Sequence, residues 1–191
     1  RKCLEVCREF RIPVSIITKS PLVTRDLDLL TEMRCAVYFS IPFPTALKSK
    51  PFELYSPIPE VRFRAMKTLT DAGVKVGVGI APVILGYNES DIPALLGKAR
   101  ENGATKAFMG LIHFDTDSIL EYFVQRLREK LPTKADRVLN RIRDARGGKI
   151  NSSVFHDRMR GKGQYWNAQE KLFEVYCRKL GFNEHRVGSD S

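Results

Sequence analysis

The 191-residue chain contains nothing near the roughly 18 to 20 consecutive apolar residues that a membrane-crossing helix requires, so no membrane contact is expected. Cysteine is scarce: Cys3, Cys7, Cys35 and Cys177 are the whole complement. No pair has the CxxC spacing of a zinc ribbon or a redox site, which excludes a disulfide-framed miniprotein and points to a reduced, cytoplasmic setting. Disorder is excluded by a composition that is 43% hydrophobic. The chain opens at Arg1 without the charged, apolar and small-residue sequence of a secretory leader, and it reads as a piece of something longer.

Charge is abundant and unevenly placed. Of a net charge of +10, the stretch 126–162 carries +8, with 12 Lys and Arg against 4 Asp and Glu. Such a concentration attracts polyanions, because releasing counterions from a nucleic acid favours association; an ordinary solvated basic face is the alternative. The residues in this region singled out for nucleic-acid contact are Arg146, Lys149, Arg158, Arg160 and Lys162. The last three, with Gly161 and Gly163, form either a loop able to grip phosphate, with Tyr165 or Trp166 stacking on a base, or a structural loop whose guanidinium groups cap the carbonyl ends of neighbouring helices.

Apolar, β-branched runs at 14–17, 36–41, 74–84 and 106–114 read as buried strands. Each is followed by helical periodicity, at 24–33, 59–72, 90–102 and 117–131, with Gly73 and Gly103 as helix stops. A further helix precedes the first strand, where Cys3 and Cys7 share a face with core-packing character. Two more helices follow at 133–146 and 166–180, the second opened by Asn167 and Glu170 at capping-box spacing, with Cys177 in its core face. Strands alternating with helices imply a parallel sheet with right-handed crossovers. The expected fold is therefore α/β: a partial TIM-like (β/α) barrel with four parallel strands over 1–131, plus a basic helical C-terminal extension over 132–191 packed on it. Four strands cannot close a barrel, so strands ahead of Arg1 are expected. The open edge at 14–17 invites homo-oligomerisation.

In parallel α/β folds ligands bind beyond the carboxyl ends of the strands. Those ends carry Lys19, Ser40, the segment 81–88 and His113. Lys19 and Ser40, one crossover apart, are placed to hold a carboxylate. Alternatively, Lys19 snorkels from the rim and Ser40 caps a loop. His113 could donate a proton or simply sit at the rim, and Tyr38 and Tyr87 could relay a hydrogen atom or belong to the core.

The motifs ITKSPLVTRDLDLL, AGVKVGVGIAPVILGYNESDIPALL, VLNRIRDARGGKINSSVF and RMRGKGQY together span nearly the whole chain. In combination they resemble the radical S-adenosylmethionine enzymes, in the branch similar to spore photoproduct lyase. The resemblance implies S-adenosylmethionine and a 4Fe-4S cluster as cofactors, and hydrogen abstraction by a 5′-deoxyadenosyl radical. It further implies a DNA or RNA substrate in repair or modification, and an electron donor for the cluster. The lysine of the TK dipeptide and the serine of the next strand end, which hold the cofactor's methionyl carboxylate in the family, correspond to Lys19 and Ser40. A motif of the form GxIxGxxE backs the adenine: Ile84, Gly86 and Glu89 match it, Ala81 joins the wall, and Pro82 replaces the first glycine.

The departures matter equally. The family's Cys-x3-Cys-x2-Cys cluster signature is absent, since Phe10 stands where the third cysteine would follow Cys3 and Cys7. Leu85 replaces a proline, and an arginine expected near His113 is missing. The expectation is thus the later part of a lyase-like radical enzyme, inactive as this chain alone. Two rivals remain: a cluster-less basic nucleic-acid-binding module, and a plain α/β enzyme anchoring an anionic ligand at Lys19.

Overall fold

A computed structural model describes residues 1–150 and 160–184; Arg158 lies outside the described residues. The elements run α1 (Lys2–Glu9), β1 (Val14–Thr18), a 3₁₀ helix (Pro21–Asp26), α2 (Leu27–Glu32), β2 (Cys35–Ser40), α3 (Ala46–Ser49), α4 (Pro59–Asp71) and β3 (Lys75–Val83). A second 3₁₀ helix (Glu89–Asp91), α5 (Ile92–Glu101), β4 (Lys106–Leu111), α6 (Asp117–Lys130), α7 (Ala135–Ala145) and α8 (Gly163–Lys179) complete them. The strands form one sheet in the order β1-β2-β3-β4, every pair parallel, so the α/β partial barrel with its helical extension is present as expected.

Alternation along β3 explains the layering. Val76, Val78 and Ile80 project to one face, where they share the core with Met66 and Leu69 of α4 and Leu95 and Leu96 of α5. Gly77 and Gly79 occupy the other face. A Cβ on Gly77 would stand 2.5 Å from the Tyr38 ring, and one on Gly79 would stand 2.5 Å from the Phe108 ring. Bare backbone there lets two aromatic rings from the flanking strands, their centroids 5.7 Å apart, lie across β3. Gly103, with φ at +89°, closes α5: its own amide bonds Arg100 O and the next amide bonds Ala99 O, returning the chain to the sheet.

The C-terminal helices pack on this layer through Val138, Leu139 and Ile142 of α7 and Trp166 and Cys177 of α8. Beyond α8, Asn183 hooks the outer edge of β4. Its amide donates to Thr105 O, and its side chain both accepts from the Ala107 amide and donates to Ala107 O, imitating a strand partner. Among the described residues no strand pairs with the outer side of β1, where Ile17 is 64% exposed.

Two local expectations are corrected. The helix predicted from Trp166 begins at Gly163, so Asn167 and Glu170 do not form a capping box; close approach of Gly161 to the Trp166 ring sets the chain into the helix three residues earlier. Cys3 and Cys7 do not pack in a core, because α1 buries no residue and Cys3 is exposed. Leu4 packs from α1 against the core, and exposed ion pairs join the helix to α2, Arg1 to Asp28 at 2.6 Å and Arg8 to Glu32 at 2.7 Å. Cys35 and Cys177 are buried.

Burial, with Glu174 nearby, pushes the Cys177 thiol from the ordinary 9.0 up to about 11. The unfolded chain therefore ionises first, and this group's contribution to stability disappears as pH rises from about 9 to 11. In a thiol-reagent time course at pH 8, Cys3 is expected to react at once and Cys177 only with global unfolding, because its thiolate is scarce and enclosed. Immediate labelling of Cys177 in the folded protein would contradict this packing.

Candidate functional site

The β1–β2 register pairs Thr18 with Phe39, which brings the following residues, Lys19 and Ser40, level at the carboxyl rim. Thr18 and Ser20 shape the turn: the Thr18 hydroxyl accepts from the Ser20 amide at 2.9 Å, and the Ser20 hydroxyl accepts from the Leu22 amide at 3.2 Å. Lys19 Nζ reaches Glu53 Oε1 at 2.6 Å. The second Glu53 oxygen pairs with Arg62 Nη2 at 2.6 Å. Arg62 also donates from Nη1 to Ser40 O at 2.7 Å and from Nε to Pro57 O at 2.8 Å. One continuous polar chain thus joins the end of β1 to the end of β2.

Exposure separates the members of this chain. The Arg62 side chain is 0% exposed and that of Glu53 5%, whereas Lys19 remains 39% exposed. Arg62 and Glu53 satisfy one another inside, and Lys19 turns one net positive charge toward solvent. Ser40 Oγ donates to Ala81 O at 3.0 Å, linking this corner to the end of β3.

Ala81 also lines a cavity of about 410 Å³ between the ends of β3 and β4 and helix α6. Its walls include Pro82, Ile84, Phe114 and Phe123, with His113 and Tyr122 toward solvent. Asn88, wholly buried, holds the β3 end in shape: its Oδ1 accepts from the Ile84 amide at 2.6 Å, and its amide group donates to Pro42 O and Pro82 O. The volume and apolar lining suit a planar heterocycle.

The other sequence candidates fall in different places. A Cβ on Gly86 would meet Val138 of α7 at 3.3 Å, so the turn, with φ at +88°, accommodates α7. Glu89 Oε1 accepts from the Gly86 amide at 2.8 Å and the Tyr165 hydroxyl at 2.7 Å, tying α8 to the loop after β3. Burial first, then the hydrogen bond to Glu89, raises the Tyr165 phenol above its ordinary value. Tyr87 donates its hydroxyl to Lys48 O. Tyr38 lies on Gly77, and His113 stands 3.5 Å from Asp115.

Arg146 donates to the carbonyl of Ile112, a residue that lines the cavity, at 2.6 Å, and Lys149, Arg160 and Lys162 are exposed. Lys162 and Arg141 border a separate hollow of about 530 Å³ at the start of α8. Among the described residues no three His, Cys, Asp or Glu side chains cluster so as to hold a metal ion. No helix among them is long and apolar enough to cross a membrane.

Sequence reading missed Glu53 and Arg62. A signal was available for Arg62: it stands with Met66 and Leu69 at i, i+4 and i+7 on the apolar face of α4, where a guanidinium demands a buried partner. Nothing local marks Glu53, which comes from the loop between α3 and α4.

Removing Arg62 leaves buried Glu53 paired with the partly exposed Lys19 and takes the donor from Ser40 O and Pro57 O. Arg62→Met is expected to destabilise the fold by about 3–5 kcal/mol. Adding Glu53→Gln should restore much of that loss, as read by urea denaturation. Equal stability of Arg62→Met and the parent would show that the pair is not buried as described.

The chain matches no family model. It is 28% identical over 173 residues to an uncharacterised protein of the Acidianus two-tailed virus, covering 86% of this chain and 55% of that one. An uncharacterised protein of Methanocaldococcus jannaschii is 34% identical over 106 residues, 55% of this chain and 38% of that one. An uncharacterised protein of Mycobacterium tuberculosis is 31% identical over 99 residues, 49% of this chain and 29% of that one. The chain therefore spans about half the length of the first of these relatives and less of the others. Among solved structures, a cysteine-to-serine mutant of spore photoproduct lyase superimposes with a TM-score of 0.59 at 14% identity, covering 94% of this chain and 54% of that one. The shared feature is the fold.

Proposed function

We propose that this chain is part of a radical S-adenosylmethionine enzyme acting on nucleic acid, and that its carboxyl rim holds the methionyl and adenine ends of the cofactor. One observation carries the reading: Lys19 and Ser40, separated by a complete crossover, meet at one corner, and a hydrogen bond from Ser40 to Ala81 joins that corner to an apolar cavity. A solvent-facing ammonium beside a slot for a flat ring fits a ligand with a carboxylate at one end and adenine at the other.

In this reading Lys19 contacts the carboxylate, the Ser40 hydroxyl turns its proton from Ala81 O to the same carboxylate on binding, and Ala81 and Ile84 form the wall against the adenine. Gly86 shapes the turn behind that wall from the α7 side. Phe114 and Phe123 exclude water from the inner end. Bound there, S-adenosylmethionine supplies one-electron, hydrogen-abstracting chemistry on reduction by a 4Fe-4S cluster; the described residues offer no ligand set for that cluster. The fold of spore photoproduct lyase supports the reading. Lys149, Arg160 and Lys162, with Arg146 and Arg158, are the basic side chains assigned to the nucleic-acid backbone.

Lys19→Met is expected to weaken S-adenosylmethionine binding about 10-fold or more, the scale of a lost charge-assisted hydrogen bond, and to leave adenosine binding unchanged. Isothermal titration of both ligands decides it; an equal loss for both, or none for either, would count against the carboxylate assignment. For the backbone contacts, affinity for a DNA oligonucleotide should fall steeply with salt, and Lys149→Ala with Arg160→Ala should flatten the slope of log K against log salt by about 1–2 units. A salt-independent affinity would remove the nucleic-acid assignment.

A further inference from the structure

Glu53 lies between two cations, 2.6 Å from each, and is nearly enclosed. Arg62 is fixed independently by two backbone carbonyls, Ser40 O and Pro57 O, so it serves as a rigid anchor for the carboxylate. The carboxylate in turn holds the tip of Lys19, a side chain with four rotatable bonds that would otherwise sample many positions above the sheet. An ammonium has three protons, and among the described residues its one acceptor, at 2.6 Å, leaves the others to face an incoming anion.

We infer that Glu53 is a positioning residue: held by buried Arg62, it fixes the Lys19 ammonium over the ends of β1 and β2 so that the rim is organised for a carboxylate before the ligand arrives. The inference rests on the reading of this rim as a carboxylate site. Glu53 itself touches no part of the ligand. Its contribution is the freedom that Lys19 no longer loses on binding, which strengthens the carboxylate end alone and leaves the adenine end untouched.

The combined Glu53→Gln and Arg62→Met variant isolates this role. It removes one charge of each sign, keeps the net charge of the corner at the single one of Lys19, and avoids a stranded buried ion. Glu53→Asp is the second variant: it retains a carboxylate for Arg62 and withdraws it from Lys19 by one methylene. Two readouts apply to both. Acylation of Lys19 in ligand-free protein, followed by peptide mass spectrometry, should quicken about 2- to 5-fold, the scale of a released, partly exposed ion pair.

The preference for S-adenosylmethionine over adenosine, measured as the ratio of dissociation constants, should fall by a similar factor. A purely structural role for Glu53 would weaken both ligands together and keep the ratio. Unchanged acylation and an unchanged ratio in both variants would overturn the positioning role while leaving the cofactor site intact. Faster acylation in the variants of a protein that binds neither ligand would uphold the positioning of Lys19 and reject the cofactor reading.

Discussion

The Arg62–Glu53 pair governs the geometry of the rim. A guanidinium with no exposed surface cannot remain in an apolar layer without a counter-charge and a full set of acceptors, and this one finds Glu53, Ser40 O and Pro57 O. Meeting that demand draws the loop between α3 and α4 down onto the ends of β1 and β2. Phe52, next to Glu53, stacks on Phe123 of α6 with centroids 5.6 Å apart, so the same loop helps close the cavity. Lys19 becomes the outward end of an internal electrostatic arrangement.

A second constraint comes from the two faces of β3. Valines and isoleucine on one side make the sheet a platform for α4 and α5; glycines on the other leave room for Tyr38 and Phe108. A parallel sheet is commonly covered on both faces. Here helices cover one, and the other carries Ile17, Tyr38 and Phe108 beneath the row of Lys19, Ser40 and Ala81. The two edges are likewise unequal: Asn183 bonds the outer edge of β4 at Thr105 and Ala107, while β1 is an end strand among the described residues.

The C-terminal helices belong to the same physical unit as the loop after β3. Gly86 leaves space for Val138 of α7, and Glu89 receives Tyr165 of α8, whose ring is covered by Arg141 with its guanidinium carbon 3.9 Å from the centroid. Residues that resemble a cofactor motif in one dimension thus divide by side. Ala81 and Ile84 line the cavity, while Gly86 and Glu89 face the helices behind it. A motif fixes spacing along the chain, and a turn of positive φ at its centre sends successive side chains in different directions.

The sequence by itself determined the four strands, the main crossover helices and the level placement of Lys19 with Ser40, because apolar periodicity and strand order are local signals that a parallel sheet converts directly into position. It also determined that Cys177 is buried, from helical spacing alone. Only the tertiary structure decided that Lys19 is held by Glu53, that Arg62 lies inside, that α1 stays at the surface and that α8 starts at Gly163. Each of these depends on a partner distant in the chain or on a clash avoided across an interface: a carboxylate 34 residues from its lysine, acidic residues of α2 facing α1, and a glycine against an indole ring. Periodicity assigns a residue to a face, and only the packed chain supplies what that face meets.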